Sequence, residues 1–162
     1  MIDYSRLFRE AYRLAAKGPD RSTHNAAFLV DSSGCIVREA VNGFVGKGMG
    51  DSDADHERPR KYSLIECAER KVICDCARLG ISTDGLILVA PWAACSNCAK
   101  AIVLAGITLV VRHKTLSRLT PDRWREDVAV GDEIMAAGGT IVHDWVGFAD
   151  AGVLFNGEEI YV

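Results

Sequence analysis

From residue 86 to residue 143 the chain alternates short apolar runs with amphipathic stretches, and this alternation restricts the fold more than any other feature. Residues 86–90, 107–112 and 140–143 read as strands, separated by helical patterns over 96–105 and 121–137. Strands joined through helices can run parallel within a layered α/β sheet. Pro121 after Thr120 reads as a helix start, with Thr120 as N-cap and Pro121 in the first helical position; Gly138-Gly139 reads as its end.

The first half fits the same architecture. Tyr4, Leu7, Phe8, Ala11, Leu14 and Ala15 recur at helical intervals over residues 3–17, before the stop Gly18-Pro19. Ala26-Ala27-Phe28-Leu29-Val30 reads as a buried strand, and the turn 31–34 joins it to a second strand over 35–41 as a hairpin. Residues 43–60, rich in Gly, Asp and Arg, read as a long loop of the kind that is usually functional or mobile. A helix is expected over 61–79, closed by Gly80, and a turn at Asn156-Gly157 in a tail of undefined role.

At 162 residues the chain is expected to form a single domain, 1–162, large enough to bury a real core. No run reaches the length needed to span a bilayer, and the polar start Met1-Ile2-Asp3-Tyr4-Ser5-Arg6 lacks a secretion signal, which predicts a cytoplasmic protein. A net charge of -3 gives no reason to expect a polymeric nucleic acid as partner. A small phosphorylated substrate needs only a local cationic pocket, and Arg21, Arg60, Lys61, Arg112 and His113 are candidates by type.

Six cysteines without a secretion signal point to metal ligation or burial rather than disulfides. Cys95-Ser96-Asn97-Cys98 follows an apolar strand and opens a helix, where free backbone N–H groups and the positive dipole end favour thiolates. Cys67, inside the expected 61–79 helix, would supply a third thiolate and leave a fourth tetrahedral position for water, the pattern of a catalytic zinc site. Glu69, two positions on, can approach that water without being a ligand. Taken alone, Cys67 could equally be a small apolar filler, and Glu69 and Arg70 ordinary surface charges. Cys35, Cys74 and Cys76 are expected to pack in the core, and His56, set among acidic and basic neighbours, reads as a loop residue.

Cys67-Ala68-Glu69 followed by Pro91-Trp92-Ala93-Ala94-Cys95-Ser96-Asn97-Cys98 resembles the zinc nucleobase deaminases, whose pattern is His-x-Glu and then Pro-Cys-x-x-Cys. Asp20-Arg21-Ser22-Thr23, Val41-Asn42-Gly43-Phe44, Glu57-Arg58-Pro59-Arg60-Lys61-Tyr62, Cys98-Ala99-Lys100-Ala101-Ile102 and Ala105-Gly106-Ile107 resemble the deoxycytidylate branch. The chain is identified as a member of the cytidine/deoxycytidylate deaminase superfamily over roughly residues 5–145. The resemblance implies a three-layer α/β/α fold with a mixed five-stranded sheet, helices on both faces, and a homo-oligomer whose neighbours help wall the sites. It implies Zn2+ held by Cys67, Cys95 and Cys98, with Glu69 as the proton shuttle. Asn42 matches the asparagine that contacts the sugar or phosphate side of the substrate. Some deoxycytidylate deaminases bind a nucleotide effector, for which the 43–60 loop is a candidate.

Three departures qualify the match. Cys67 stands where deoxycytidylate deaminases generally have His; Cys-Ala-Glu-Arg is the tetrameric cytidine deaminase form. The extra thiolate makes the zinc core more negative, which lowers its power to acidify water, and Arg70, three residues after Cys67, is expected to compensate by hydrogen-bonding the thiolates. Ala94 replaces the proline before Cys95, with Pro91 and Trp92 earlier in the loop; Trp92 would stack on a base or anchor the loop. His24-Asn25 replaces the usual Val-Gly, and Asn25 would read a substrate edge or serve as a turn residue.

The expected function is zinc-dependent hydrolytic deamination of a pyrimidine nucleotide, dCMP to dUMP plus ammonia. The alternatives are deamination of cytidine, a modified pyrimidine or another amino-heterocycle, and a catalytically inactive zinc-stabilised binding domain.

Overall fold

The computed structural model describes residues 1–162. In chain order it contains α1 (Tyr4–Ala15), β1 (Ala26–Val30), β2 (Ile36–Val41), β3 (Gly43–Phe44), a 3-10 turn (Asp53–His56), α2 (Lys61–Leu64) and β4 (Ile65–Glu66). Then follow α3 (Ala68–Leu79), β5 (Ile87–Ala90), α4 (Ser96–Leu104), β6 (Leu109–His113), α5 (Lys114–Arg118), α6 (Asp122–Ala137), β7 (Ile141–Trp145), β8 (Gly152–Phe155) and β9 (Glu158–Tyr161).

Five strands form one mixed sheet in the order β2-β1-β5-β6-β7. β1 runs antiparallel to both β2 and β5, while β5, β6 and β7 are parallel. The alternation of side chains sorts the core into two layers. Ala26, Phe28 and Val30, with Val89 and Val111, face α1 and the β8–β9 hairpin. Ala27 and Leu29, with Leu88, Ala90 and Val110, face α3, α4 and the Met135 end of α6. β1 is buried along its whole length, which is why Ala-Ala-Phe-Leu-Val is apolar throughout rather than alternating. This is the three-layer, five-stranded arrangement that the family resemblance implies.

Several elements depart from expectation. The helix expected over 61–79 is broken: Ile65–Glu66 is extended and pairs with Gly43–Phe44, so Cys67 caps α3 from outside instead of lying within it. A hydrophobic periodicity running through 61–79 cannot reveal a break whose cause is a pairing with a distant strand. α5 was not anticipated, and the strand expected at 107–112 is Leu109–His113. Pro121, not Thr120, is the N-cap of α6, because the Thr120 hydroxyl donates to the Ser117 carbonyl (2.7 Å) and accepts from Trp92 Nε1 (2.9 Å). Cys76 is buried as expected, whereas Cys35 and Cys74 are exposed: Cys35 precedes an edge strand, and Cys74 lies on the outer side of α3.

The tail is part of the fold. β8 and β9 pair around Asn156-Gly157, both at positive φ (54° and 88°), the tight hairpin turn that such a pair favours. His24 N donates to the Leu154 carbonyl (2.8 Å) and Gly157 N to the Ser22 carbonyl (2.7 Å), which ties the hairpin to the segment entering β1.

Candidate active site and metal centre

Cys67, Cys95 and Cys98 converge from two helix starts. Cys67 (φ -67°, ψ 147°) is the N-cap of α3, and Cys95 (φ -71°, ψ 166°) is the N-cap of α4, with Cys98 in its first turn. Their sulfur atoms all lie within 4.8 Å of one another. Two positive helix ends therefore meet at one point, where negative charge is stabilised. Hydrogen bonds from Cys67 and Cys98 hold the Cys95 thiol far down, and its sulfur accepts from Cys98 N at 3.4 Å. Sulfur contacts push Cys67 and Cys98 up, with burial adding to the rise. Three soft donors at this spacing fit a zinc ion, which Cys67, Cys95 and Cys98 would hold.

Glu69 sits in the first turn of α3, 2% exposed. Its Oε2 is 3.8 Å from Cys98 Sγ, and its Oε1 accepts from Asn25 Nδ2 at 3.3 Å. Burial pushes its carboxyl up to about 7. Asn25 is itself fixed: its Oδ1 accepts from Trp92 N (3.4 Å), and its backbone N–H donates to Asn42 Oδ1 (2.8 Å). Asn42 Nδ2 in turn donates to the Thr23 carbonyl (2.8 Å). Asn42 and Asn25 thus form a buried relay behind Glu69, and Asn25 meets the carboxylate directly.

Arg70 does not hydrogen-bond a thiolate. It pairs with Glu66, whose Oε1 also accepts from Cys67 N (2.8 Å). Burial opposes the Arg70 charge, and Cys98, Glu66 and Cys67 outweigh it. The cation therefore stands beside the sulfur cluster as a field, not as a donor to it. Glu66, which holds both the Cys67 amide and Arg70, had no signal in the sequence.

A cavity opens at Glu69, lined also by Asn25, Asn42, Cys67, Cys95 and Arg70 and by Tyr62, Trp92 and Trp124. Trp92 packs edge-on against Phe155 at 5.1 Å and against Trp124 at 6.4 Å. Of the sequence's phosphate candidates only Lys61 lines this cavity, and it is buried against Asp20 (2.8 Å) and Ser22 Oγ (2.6 Å). Arg21 and Arg60 pair with Asp53 and Asp55 outside it. Arg112 is held by Asp132 and Asp144, and His113 lies in the opposite core layer beside Tyr12 and Phe8. Arg58 is the lining cation that meets no carboxylate; its Nε donates to Tyr62 Oη at 2.7 Å. His56 lies outside the cavity, with Nε2 on the Gly50 carbonyl at 3.0 Å. Arg58 and Trp124 were not singled out from sequence, because only the fold brings residues 58, 92 and 124 to one wall.

An α/β/α sheet with a buried glutamate beside a three-thiol cluster at two helix starts defines a zinc-dependent hydrolytic deaminase. The family model of the cytidine and deoxycytidylate deaminase zinc-binding region matches residues 1–114, and the chain belongs to that family. No curated protein matches the sequence. Among solved structures, dCMP deaminase from the cyanophage S-TIM5, in complex with dCMP and dUMP, is 19% identical over 88% of this chain and 91% of that one, with a TM-score of 0.60. A diaminohydroxyphosphoribosylaminopyrimidine deaminase/5-amino-6-(5-phosphoribosylamino)uracil reductase from Thermotoga maritima matches at 21% identity, covering 87% of this chain and 36% of that one, with a TM-score of 0.62. Guanine deaminase from Nitrosomonas europaea matches at 15% identity, covering 92% and 79%, with a TM-score of 0.54. At these identities the likeness is one of fold, and it spans enzymes named for different bases.

Proposed function

We propose that this chain deaminates a pyrimidine nucleotide, dCMP to dUMP plus ammonia, with Cys67, Cys95 and Cys98 as zinc ligands and Glu69 as the catalytic acid–base. The observation that carries this reading is one cavity lined by Glu69, by Cys67 and Cys95 of the three-sulfur cluster, and by the uncompensated Arg58. A base would enter the cavity beside Trp92 and Trp124, and a phosphate would meet Arg58. Zinc, when bound, supplies the Lewis-acid activation that yields a nucleophilic water at neutral pH. Glu69 takes a proton from the attacking water and delivers it to the ring nitrogen; it then takes the second proton from the hydroxyl added to the carbon and passes it to the amine, which leaves as ammonia as the carbonyl forms. Asn25 keeps Glu69 Oε1 aimed, so the carboxylate swings little between these transfers. Arg70 offsets the charge of an all-thiolate ligand set.

The second reading, deamination of cytidine, a modified pyrimidine or another amino-heterocycle, is favoured by Asn25, whose side chain holds Glu69 where the resembling enzymes usually have Val-Gly. We also infer that residues 1–162 act as a single domain and that the enzyme is a homo-oligomer, for which exposed Leu104, Ile141, Val146 and Phe148 offer apolar contact. No helix is long and apolar enough to cross a membrane. A cytoplasmic setting suits six free thiols.

The test is ammonia release from a panel of nucleotides, nucleosides and bases by zinc-loaded protein. dCMP is expected to be the preferred substrate, Glu69→Ala to lose about 100- to 10,000-fold in kcat with zinc retained, and Arg58→Ala to raise KM for dCMP but not for deoxycytidine. Turnover of another panel member with dCMP untouched overturns the substrate. Full activity in Glu69→Ala overturns the mechanism.

A further inference from the structure

We propose that helix α6, which lies beyond the matched zinc-binding region, sets the position of Cys95 through Asp127 and Gly131 and thereby sets zinc affinity. The proposal rests on the ligand assignment above. Trp124, Asp127 and Gly131 follow one another at helical spacing and lie on one side of α6. All three are turned to the site: Trp124 and Asp127 line the cavity, and Gly131 packs on the loop that carries Cys95.

Asp127 Oδ2 accepts from Ser96 N at 3.1 Å, and its Oδ1 accepts from Ser96 Oγ at 2.6 Å. Ser96 is the first residue of α4, directly after Cys95, and its amide has no partner within the helix. The carboxylate therefore takes that amide, and the Cys98 amide is left to the Cys95 sulfur. Four residues further along α6, a Cβ on Gly131 would lie 2.8 Å from the Ala94 carbonyl oxygen and 3.3 Å from the Cys95 carbonyl carbon. Glycine is unfavourable in a helix interior, and this contact accounts for it, because any side chain would drive the ligand's own backbone away. One residue pulls the start of α4 towards α6 and the other lets the backbones meet. Asp127 touches neither sulfur nor metal; it is a positioning residue.

Zinc affinity of the full-length protein, measured by chelator competition, tests this together with thermal stability in metal-free and zinc-loaded states. Asp127→Ala is expected to raise the zinc dissociation constant about 10- to 100-fold, and Asp127→Asn, which keeps an acceptor for Ser96 N, to raise it less. Gly131→Ala should also weaken zinc binding although alanine favours the helix. Asp127→Ala and Gly131→Ala should lower the melting temperature more with zinc than without. Unchanged affinity in Asp127→Ala and Gly131→Ala, or equal loss of stability in both states, reduces Asp127 to an ordinary helix cap and overturns the proposal. Zinc binding undiminished in Cys95→Ala overturns the ligand assignment instead.

Discussion

Glu69 is a carboxylate placed where carboxylates are costly, and its neighbours explain how it persists. Burial pushes it up to about 7, and Asn25 Nδ2 supplies a donor to Oε1. Removing that donor leaves a buried acceptor unpaired, a loss of about 1–3 kcal/mol, or roughly tenfold in rate for each 1.36 kcal/mol. Asn25→Ala is therefore expected to lower kcat about 5- to 160-fold with zinc content unchanged, as read by steady-state kinetics beside metal analysis. A variant with normal kcat and raised KM would return Asn25 to reading the substrate. At this scale the sequence was partly legible. Cys95 and Cys98 share a helix start, so their spacing alone brings them together. Asn25 and Glu69 belong to β1's entry and to α3, and no local pattern joins them.

Among the elements, α3 owes its limits to two different causes. Its end was readable: Gly80 takes φ 69°, and its N–H closes on Ala77 and Cys76 carbonyls. No atom lies within 4 Å of a Cβ there, so Gly80→Ala has only the backbone cost, about 1 kcal/mol. Denaturant unfolding should show that loss with zinc affinity unaltered; a larger drop would mean that the Gly80 turn carries tertiary contacts. The start of α3 was not readable, because Ile65–Glu66 leaves the helix to pair with β3. That break converts Cys67 from a helical residue into an N-cap and aims its sulfur at Cys95 and Cys98.

Across the whole molecule, the site occupies one side of the sheet and His113 anchors the other. Nε2–H donates to the Gly147 carbonyl (3.1 Å), which leaves Nδ1 to accept from Tyr12 Oη (2.7 Å), and Phe8 and Trp145 pack on the ring. Burial holds its pKa below the ordinary 6.5. The fold therefore favours the neutral ring: its contribution is complete above pH 6.5 and is lost as pH falls from there through the lower folded value. The melting temperature of the native protein should drop more between pH 7.5 and 5.5 than that of His113→Gln. Parallel pH profiles would show that His113 does not carry this dependence. The sequence by itself determined the layered class, the strands and most helices of the main sheet, and the local half of the metal cluster, which follow from short-range periodicity and spacing, and the deaminase family, which follows from the motifs it shares. Tertiary structure decided where Cys67 points, which arginine reaches the cavity, what holds Glu69 and what braces Cys95. Each of these depends on contacts between elements far apart in the chain, and residue order encodes such contacts only through the folded core.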